Sequence, residues 1–107
     1  MSDNFNYLDY AVEFVQKIRA KGINILIAKI FGSYSKNSFN ENSDLDILLV
    51  SDNFVGAGFI DNLLIANELI DYDLIQPKTY SYKDYIEGDP FLNEINKTAI
   101  TIHNEII

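Results

Sequence analysis

The stretch Ile30-Phe31-Gly32-Ser33-Tyr34-Ser35-Lys36-Asn37, followed after four residues by Asn42-Ser43-Asp44-Leu45-Asp46-Ile47-Leu48-Leu49-Val50, decides how this chain is read. Ile23 to Phe31 is rich in β-branched residues and almost wholly apolar, the composition of a strand covered on both faces. It runs straight into Gly32-Ser33, residues 32–43 turn polar, and Asp44 to Val50 reads as a second strand that opens polar and becomes apolar. The two strands can pair antiparallel. In a strand alternate side chains share a face, so Asp44 and Asp46 project together while Leu45 and Ile47 point into the core. Two carboxylates ~4 Å apart repel by on the order of 4 kcal/mol at an effective dielectric of about 20. A hard divalent cation offsets that cost, and Mg²⁺ in particular prefers one or two carboxylates together with substrate phosphates. Gly32 has no Cβ to obstruct a phosphate, and the loop amides with the Ser33 hydroxyl can donate to its oxygens. A Gly-Ser turn alone, or a solvated Asp-x-Asp alone, is commonplace; the signal is their combination on two successive apolar strands.

Working outward, Leu8, Ala11, Val12, Val15 and Ile18 recur at helical spacing between Tyr7 and Lys21, and Gly22 supplies a stop. After the second strand, Ser51 to Gly58 reads as a loop, and Phe59 to Leu69 as a second helix carrying Ile60, Leu63, Leu64 and Leu69. A third strand is predicted over about Ile70 to Gln76, ended by Pro77. Ser81-Tyr82-Lys83-Asp84 matches a capping-box start, and Asp89-Pro90 sets a carboxylate cap before proline, so two short helices are expected there. Thr98 to His103 alternates Ile100 and Ile102 with polar residues, a short edge strand. The expectation is a single α/β (α+β) domain over residues 1–107, with a small mixed sheet of three to four strands flanked by helices.

The two quoted runs resemble the nucleotidyltransferase superfamily of DNA polymerase β, and more closely its minimal bacterial and archaeal members. Asp89-Pro90-Phe91-Leu92-Asn93-Glu94-Ile95 and Ile100-Thr101-Ile102 extend the likeness over most of the chain. The resemblance implies an enzyme that moves a nucleoside monophosphate, AMP from ATP, to a hydroxyl acceptor. It implies that Gly32 and Ser33 hold nucleotide phosphates, that Lys36 stands where relatives often carry a basic residue, and that Asp44 and Asp46 bind two Mg²⁺ ions. It also implies a third acid on a neighbouring strand, as metal ligand and base. The strand predicted over Ile70 to Gln76 offers both Asp71 and Asp73 on one face, and spacing does not separate them; Tyr72-Asp73-Leu74-Ile75 matches the family's apolar-Asp-apolar-apolar pattern and favours Asp73. Asn37 departs from the usual glycine, but asparagine is the next residue to accept a left-handed conformation.

Similar minimal proteins commonly occur beside HEPN-type ribonuclease partners as toxin and antitoxin, and some nucleotidylate the partner on tyrosine, so the resemblance implies a protein partner that supplies the acceptor. The competing reading is an interaction module that neutralises such a partner by binding. A phosphohydrolase reading of Asp44-Leu45-Asp46 fails because those acids should end a strand, and these begin one.

Composition sets the outer limits. In 107 residues there are 16 acidic and 8 basic side chains, a formal net charge of −8, one histidine and no cysteine. That length buries roughly two-thirds of the unfolded chain's surface, enough for one core without staples. The absence of cysteine excludes disulfides, thiolate zinc sites and cysteine nucleophiles. The net charge disfavours nucleic-acid backbones as partners. No apolar run approaches the ~20 residues of a membrane helix, and Met1-Ser2-Asp3-Asn4 lacks the basic, apolar start of a signal peptide, so a cytoplasmic protein is expected. His103, Lys29 and the tyrosines Tyr80, Tyr82 and Tyr85 are read as packing or solvated residues.

Overall fold

A computed structural model describes residues 5–106. Met1 to Asn4, read above for a targeting signal, lie outside the described residues. The first helix, α1 (Tyr7–Ala20), begins at Asn6, whose side-chain oxygen accepts from the Leu8 and Asp9 amides. It turns Ala11, Phe14, Val15 and Ile18 into the core. Strands β1 (Ile25–Phe31) and β2 (Leu45–Ser51) pair antiparallel, with Phe31 opposite Asp46 and Ala28 opposite Leu49. Helices α2 (Gly58–Leu64) and α3 (Ala66–Asp71) follow, then β3 (Ile75–Tyr80), α4 (Tyr82–Glu87), α5 (Pro90–Ile95) and β4 (Ile100–Asn104). The sheet order is β3-β2-β1-β4, with β3 parallel to β2 and β4 antiparallel to β1. This is the mixed four-stranded sheet flanked by helices that the sequence predicts.

The sheet is covered on both faces, which explains why β1 and β2 read as continuous apolar runs. One face, with Ile25, Ala28, Leu45, Ile47 and Leu49, packs under α1; the other, with Ile27, Leu48 and Val50, packs under Leu92 and Ile95 of α5. Both predicted caps in the tail form: Ser81 accepts from the Asp84 amide, and Asp89 accepts from the Leu92 amide with Pro90 opening α5.

Two expectations need correction. The predicted helix over Phe59–Leu69 is interrupted at Ile65, and Ile60, Leu63 and Leu64 face solvent while Asp61 is buried. The predicted strand over Ile70–Gln76 begins only at Ile75 and runs through Pro77 to Tyr80. Its start is displaced because α3 extends through Asp71, with the Tyr72 amide bonded back to the Glu68 carbonyl. Pro77 does not end the strand because β3 is a sheet edge, where one missing donor is tolerated.

Candidate active site

The two signature segments meet at one end of the sheet. β1 delivers Gly32 at φ +73°, a conformation that L side chains rarely adopt, and there the backbone lies directly on the Asp46 carboxylate: a Cβ built at Gly32 would fall 2.3 Å from Asp46 Oδ2. The loop then closes on itself. The Lys36 amide and the Ser35 hydroxyl donate to the Gly32 carbonyl, the Ser38 amide to Ser33, and the Asn37 amide to Tyr34. Asn37 takes φ 57°, the left-handed role expected of it. The Ser33 hydroxyl and the first amides of the loop are not used in these bonds. Tyr34 is buried and stacks on Phe39 with ring centroids 4.2 Å apart, which fixes the loop to the core beneath it.

Asp44 is exposed just before β2, and Asp46 is half-buried inside it. Among the described residues no lysine, arginine or histidine forms an ion pair with either carboxylate. Burial first, and the neighbouring Asp44 charge second, push the Asp46 carboxyl above the ordinary carboxylate range. Two uncompensated carboxylates beside an open glycine backbone form a hard oxygen donor set that fits a divalent cation whose shell is completed by phosphate.

The third acid is arranged differently from the expectation. Neither Asp71 nor Asp73 is a strand residue: Asp71 closes α3, and Asp73 lies exposed in the turn before β3. The Leu45 amide donates to the Leu74 carbonyl at 2.9 Å, so Asp44 and Asp73 each sit one residue outside the same bonded pair, at the same end of the sheet. Even so, among the described residues no three His, Cys, Asp or Glu side chains gather closely enough to hold a metal ion. The β3 residue in register with Asp46 is Gln76, followed on the same face by Lys78, in register with Leu48. The strand predicted over Ile70 to Gln76 includes Gln76 but leaves out Lys78, because it stops at Pro77; a Pro-x-Thr-Tyr run recognised as an edge strand brings Lys78 in. Lys36 is exposed on the loop and near enough to Glu94 of α5 to help lower the latter's pKa, after the stronger effect of Lys97. A separate cleft of about 310 Å³ lies along the later half of β3, lined by Lys78, Tyr80, Asp84, Glu87 and Asp89 among others. Its three acids, Asp84, Glu87 and Asp89, would repel a triphosphate.

A sheet whose first hairpin carries a Gly-Ser loop folded onto the second of two strand carboxylates defines the nucleotidyltransferase class. The family profile "Polymerase beta, Nucleotidyltransferase" matches residues 13–106, and the chain belongs to that family. It is therefore a nucleotidyltransferase. Its fold is similar to a provisionally identified nucleotidyltransferase from Sulfolobus solfataricus, at a TM-score of 0.64 and 18% identity, over 88% of this chain and 77% of that one. It is also similar to a toxin–antitoxin structure with AMP-PNP (TM-score 0.60, 16% identity, 89% and 74% of the two chains). A third similar structure is the toxin–antitoxin MntA-HpeT carrying two Asp→Glu substitutions two positions apart (TM-score 0.59, 14% identity, 89% and 74%). No curated protein matches the chain. Among the described residues no helix is long and apolar enough to cross a membrane.

Proposed function

We propose that this nucleotidyltransferase moves AMP from ATP to a hydroxyl, and that the acceptor is carried by a protein partner, a tyrosine of a HEPN-type toxin. The observation that carries the reading is the seat of the Gly32 backbone on the Asp46 carboxylate, with Asp44 two residues before it and, among the described residues, no cation paired with either. The toxin–antitoxin neighbours support the partner: one was solved with AMP-PNP, and another carries substitutions at two aspartates with the spacing of Asp44 and Asp46.

In this reading the acceptor oxygen bonds to the α-phosphorus, the bond to the bridging oxygen breaks, and pyrophosphate leaves with the electron pair. Gly32 and Ser33 hold the phosphates in line through amide and hydroxyl donors, and Lys36 answers their charge from the loop rim. Asp44 and Asp46 would hold Mg²⁺, with Asp73 as a further ligand, and the metal would neutralise the triphosphate and lower the pKa of the acceptor hydroxyl. In this reading Asp73 receives the acceptor's proton.

The test is incubation with α-labelled ATP and Mg²⁺, alone and with the product of the neighbouring gene, followed by detection of label on protein. Label on the neighbour, absent with Asp44→Asn or Asp46→Asn, supports the reading; turnover retained in Asp46→Asn overturns it. The second reading, an interaction module that neutralises its partner by binding, is favoured by one observation, that among the described residues no three acids gather closely enough to hold a metal ion. No label, together with a complex that survives both substitutions, decides for it.

A further inference from the structure

Helix α2 of this chain is turned inside out. The buried side chain of α2 is the carboxylate Asp61, and α3 has no buried residue. Asp61 holds α2 in place as a polar anchor. It accepts from the Val55 and Gly56 amides at 2.9 Å each, and from the Thr79 hydroxyl of β3 at 2.8 Å. The large apolar side chains point the other way: Phe59 is 81% exposed, Leu63 76%, Ile70 75% and Val55 61%. Positions 55, 59 and 63 recur every fourth residue, so Phe59 and Leu63 share one side of α2. Scattered exposed apolar residues are ordinary, but Phe59 and Leu63 exposed together on one side of a helix whose buried side chain is a carboxylate mark a surface meant to be covered.

Charge identifies what covers it. From Asp52 to Pro77 the sequence holds five acids and no Lys, Arg or His. Of these, Asp61 is consumed by its buried bonds and Glu68 pairs with Lys21 at 2.6 Å. Asp52, Asp71 and Asp73 remain exposed in the same stretch of chain as the apolar set. A second copy would bring the same acids face to face, and an anionic lipid surface would be repelled. The complement is an apolar surface bordered by cations.

We propose that the α2–α3 flank is a docking surface for a partner protein whose apolar face is rimmed by Lys and Arg. This rests on the preceding reading only for the partner being a protein. The turn after α3 carries Asp73 to the Asp44 end of the sheet, so a partner seated on α3 borders the carboxylates.

The test uses the full chain without nucleotide, so its outcome is independent of the labelling assay. The probes are a fluorescent amphipathic helical peptide with leucine on one face and lysine on the other, and a twin with glutamate replacing lysine. The lysine peptide is expected to bind, to protect amides of residues 55–71 from hydrogen exchange, and to lose about tenfold or more in affinity in Phe59→Ser and Leu63→Ser, as removal of interface anchors does. Both substitutions fall on exposed positions and should leave the melting temperature unchanged. Equal binding to wild type and variants, protection elsewhere, equal binding of the glutamate twin, or no binding of the lysine peptide overturns the proposal. So does a wild-type dimer in sedimentation that Phe59→Ser dissolves, since the surface then receives a second copy.

Discussion

Replacing Gly32 with alanine separates the site from the fold. The added Cβ would stand 2.3 Å from Asp46 Oδ2, and ordinary contact begins at 3.4 Å, so the oxygen must retreat by about 1.1 Å. An aspartate can do so by rotating its side chain, which relieves the clash by displacing the carboxylate and leaves the core alone. The separate cost is backbone: φ +73° in an L-residue costs about 1–2 kcal/mol, which for a domain of this size lowers Tm by roughly 5–15 °C. A ligand at 100 times its Kd stabilises the native state by about 2.7 kcal/mol. Thermal melts with and without Mg²⁺ and a non-hydrolysable ATP analogue read both quantities at once. Gly32→Ala is expected to melt lower and to lose most of the ligand-dependent rise. Gly22→Ala is the control: φ is +97° there and nothing lies within 4 Å of the added Cβ, so it should lose similar intrinsic stability and keep the full rise. A full rise retained by Gly32→Ala, or a rise lost equally by Gly22→Ala, would refute the reasoning that the glycine exists to let backbone and carboxylate meet.

Asp61→Ala leaves two amides and the Thr79 hydroxyl without their acceptor and should cost about 3–5 kcal/mol, read from urea denaturation; a loss under 1 kcal/mol would show that α2 is held by something else. Asp46 has a raised folded pKa, so its ionisation opposes folding: without metal, Asp46→Asn should melt above wild type at pH 7, with the gain shrinking as pH falls through the raised folded value toward the ordinary 3.8 and gone below it. A variant that melts lower than wild type at pH 7 would contradict this. Tyr72 is pushed up to about 12, by burial first and then by the hydrogen bond and charge of Glu13, to which it donates at 2.7 Å. Its stabilisation is complete below pH 10 and lost as pH rises through about 12; in Tyr72→Phe that alkaline decline should flatten, as followed by circular dichroism. Asn37→Gly should hold or slightly raise Tm, since glycine accepts φ 57° without the Cβ penalty; a clear drop would mean that the Asn37 side chain itself holds the loop.

What could be read from the sequence follows from how local each feature is. The β1–loop–β2 unit was legible because its determinants lie within 28 consecutive residues from Ile23 to Val50: two apolar runs, a glycine that must meet a carboxylate, and an alternation that turns Asp46 away from Leu45 and Ile47. The caps at Ser81 and Asp89 were legible for the same reason, each being a bond between residues three apart. The register of β3 was not, because it depends on a pairing with β2 across two intervening helices, and Pro77 is a terminator or a harmless edge residue according to that pairing alone. The same dependence moved the third acid: Asp73 changed from a strand residue to a turn residue when the strand slid to Ile75, and Gln76 took the place beside Asp46.

The misreading of α2 has a different origin and a wider consequence. Helical periodicity locates an apolar stripe, but it carries no information on which side of the helix the rest of the protein lies. Treating the stripe as inward is sound when apolar burial is what holds the helix, and here a buried carboxylate does that instead, bonded to two amides of its own loop and a threonine 18 residues away. The stripe of Phe59 and Leu63 is then free to serve another surface. The exposed apolar residues of an inverted helix of this kind contribute little to the stability of the isolated chain, so they are explained by association, and the cation-free stretch around them narrows the associate to one that brings positive charge. The carboxylates at Asp44 and Asp46 ask for positive charge as well. One end of the sheet therefore carries two acidic surfaces that, under the proposed function, differ in what would satisfy them, a compact divalent ion at Asp44 and Asp46 and a broad basic, apolar face along α2 and α3.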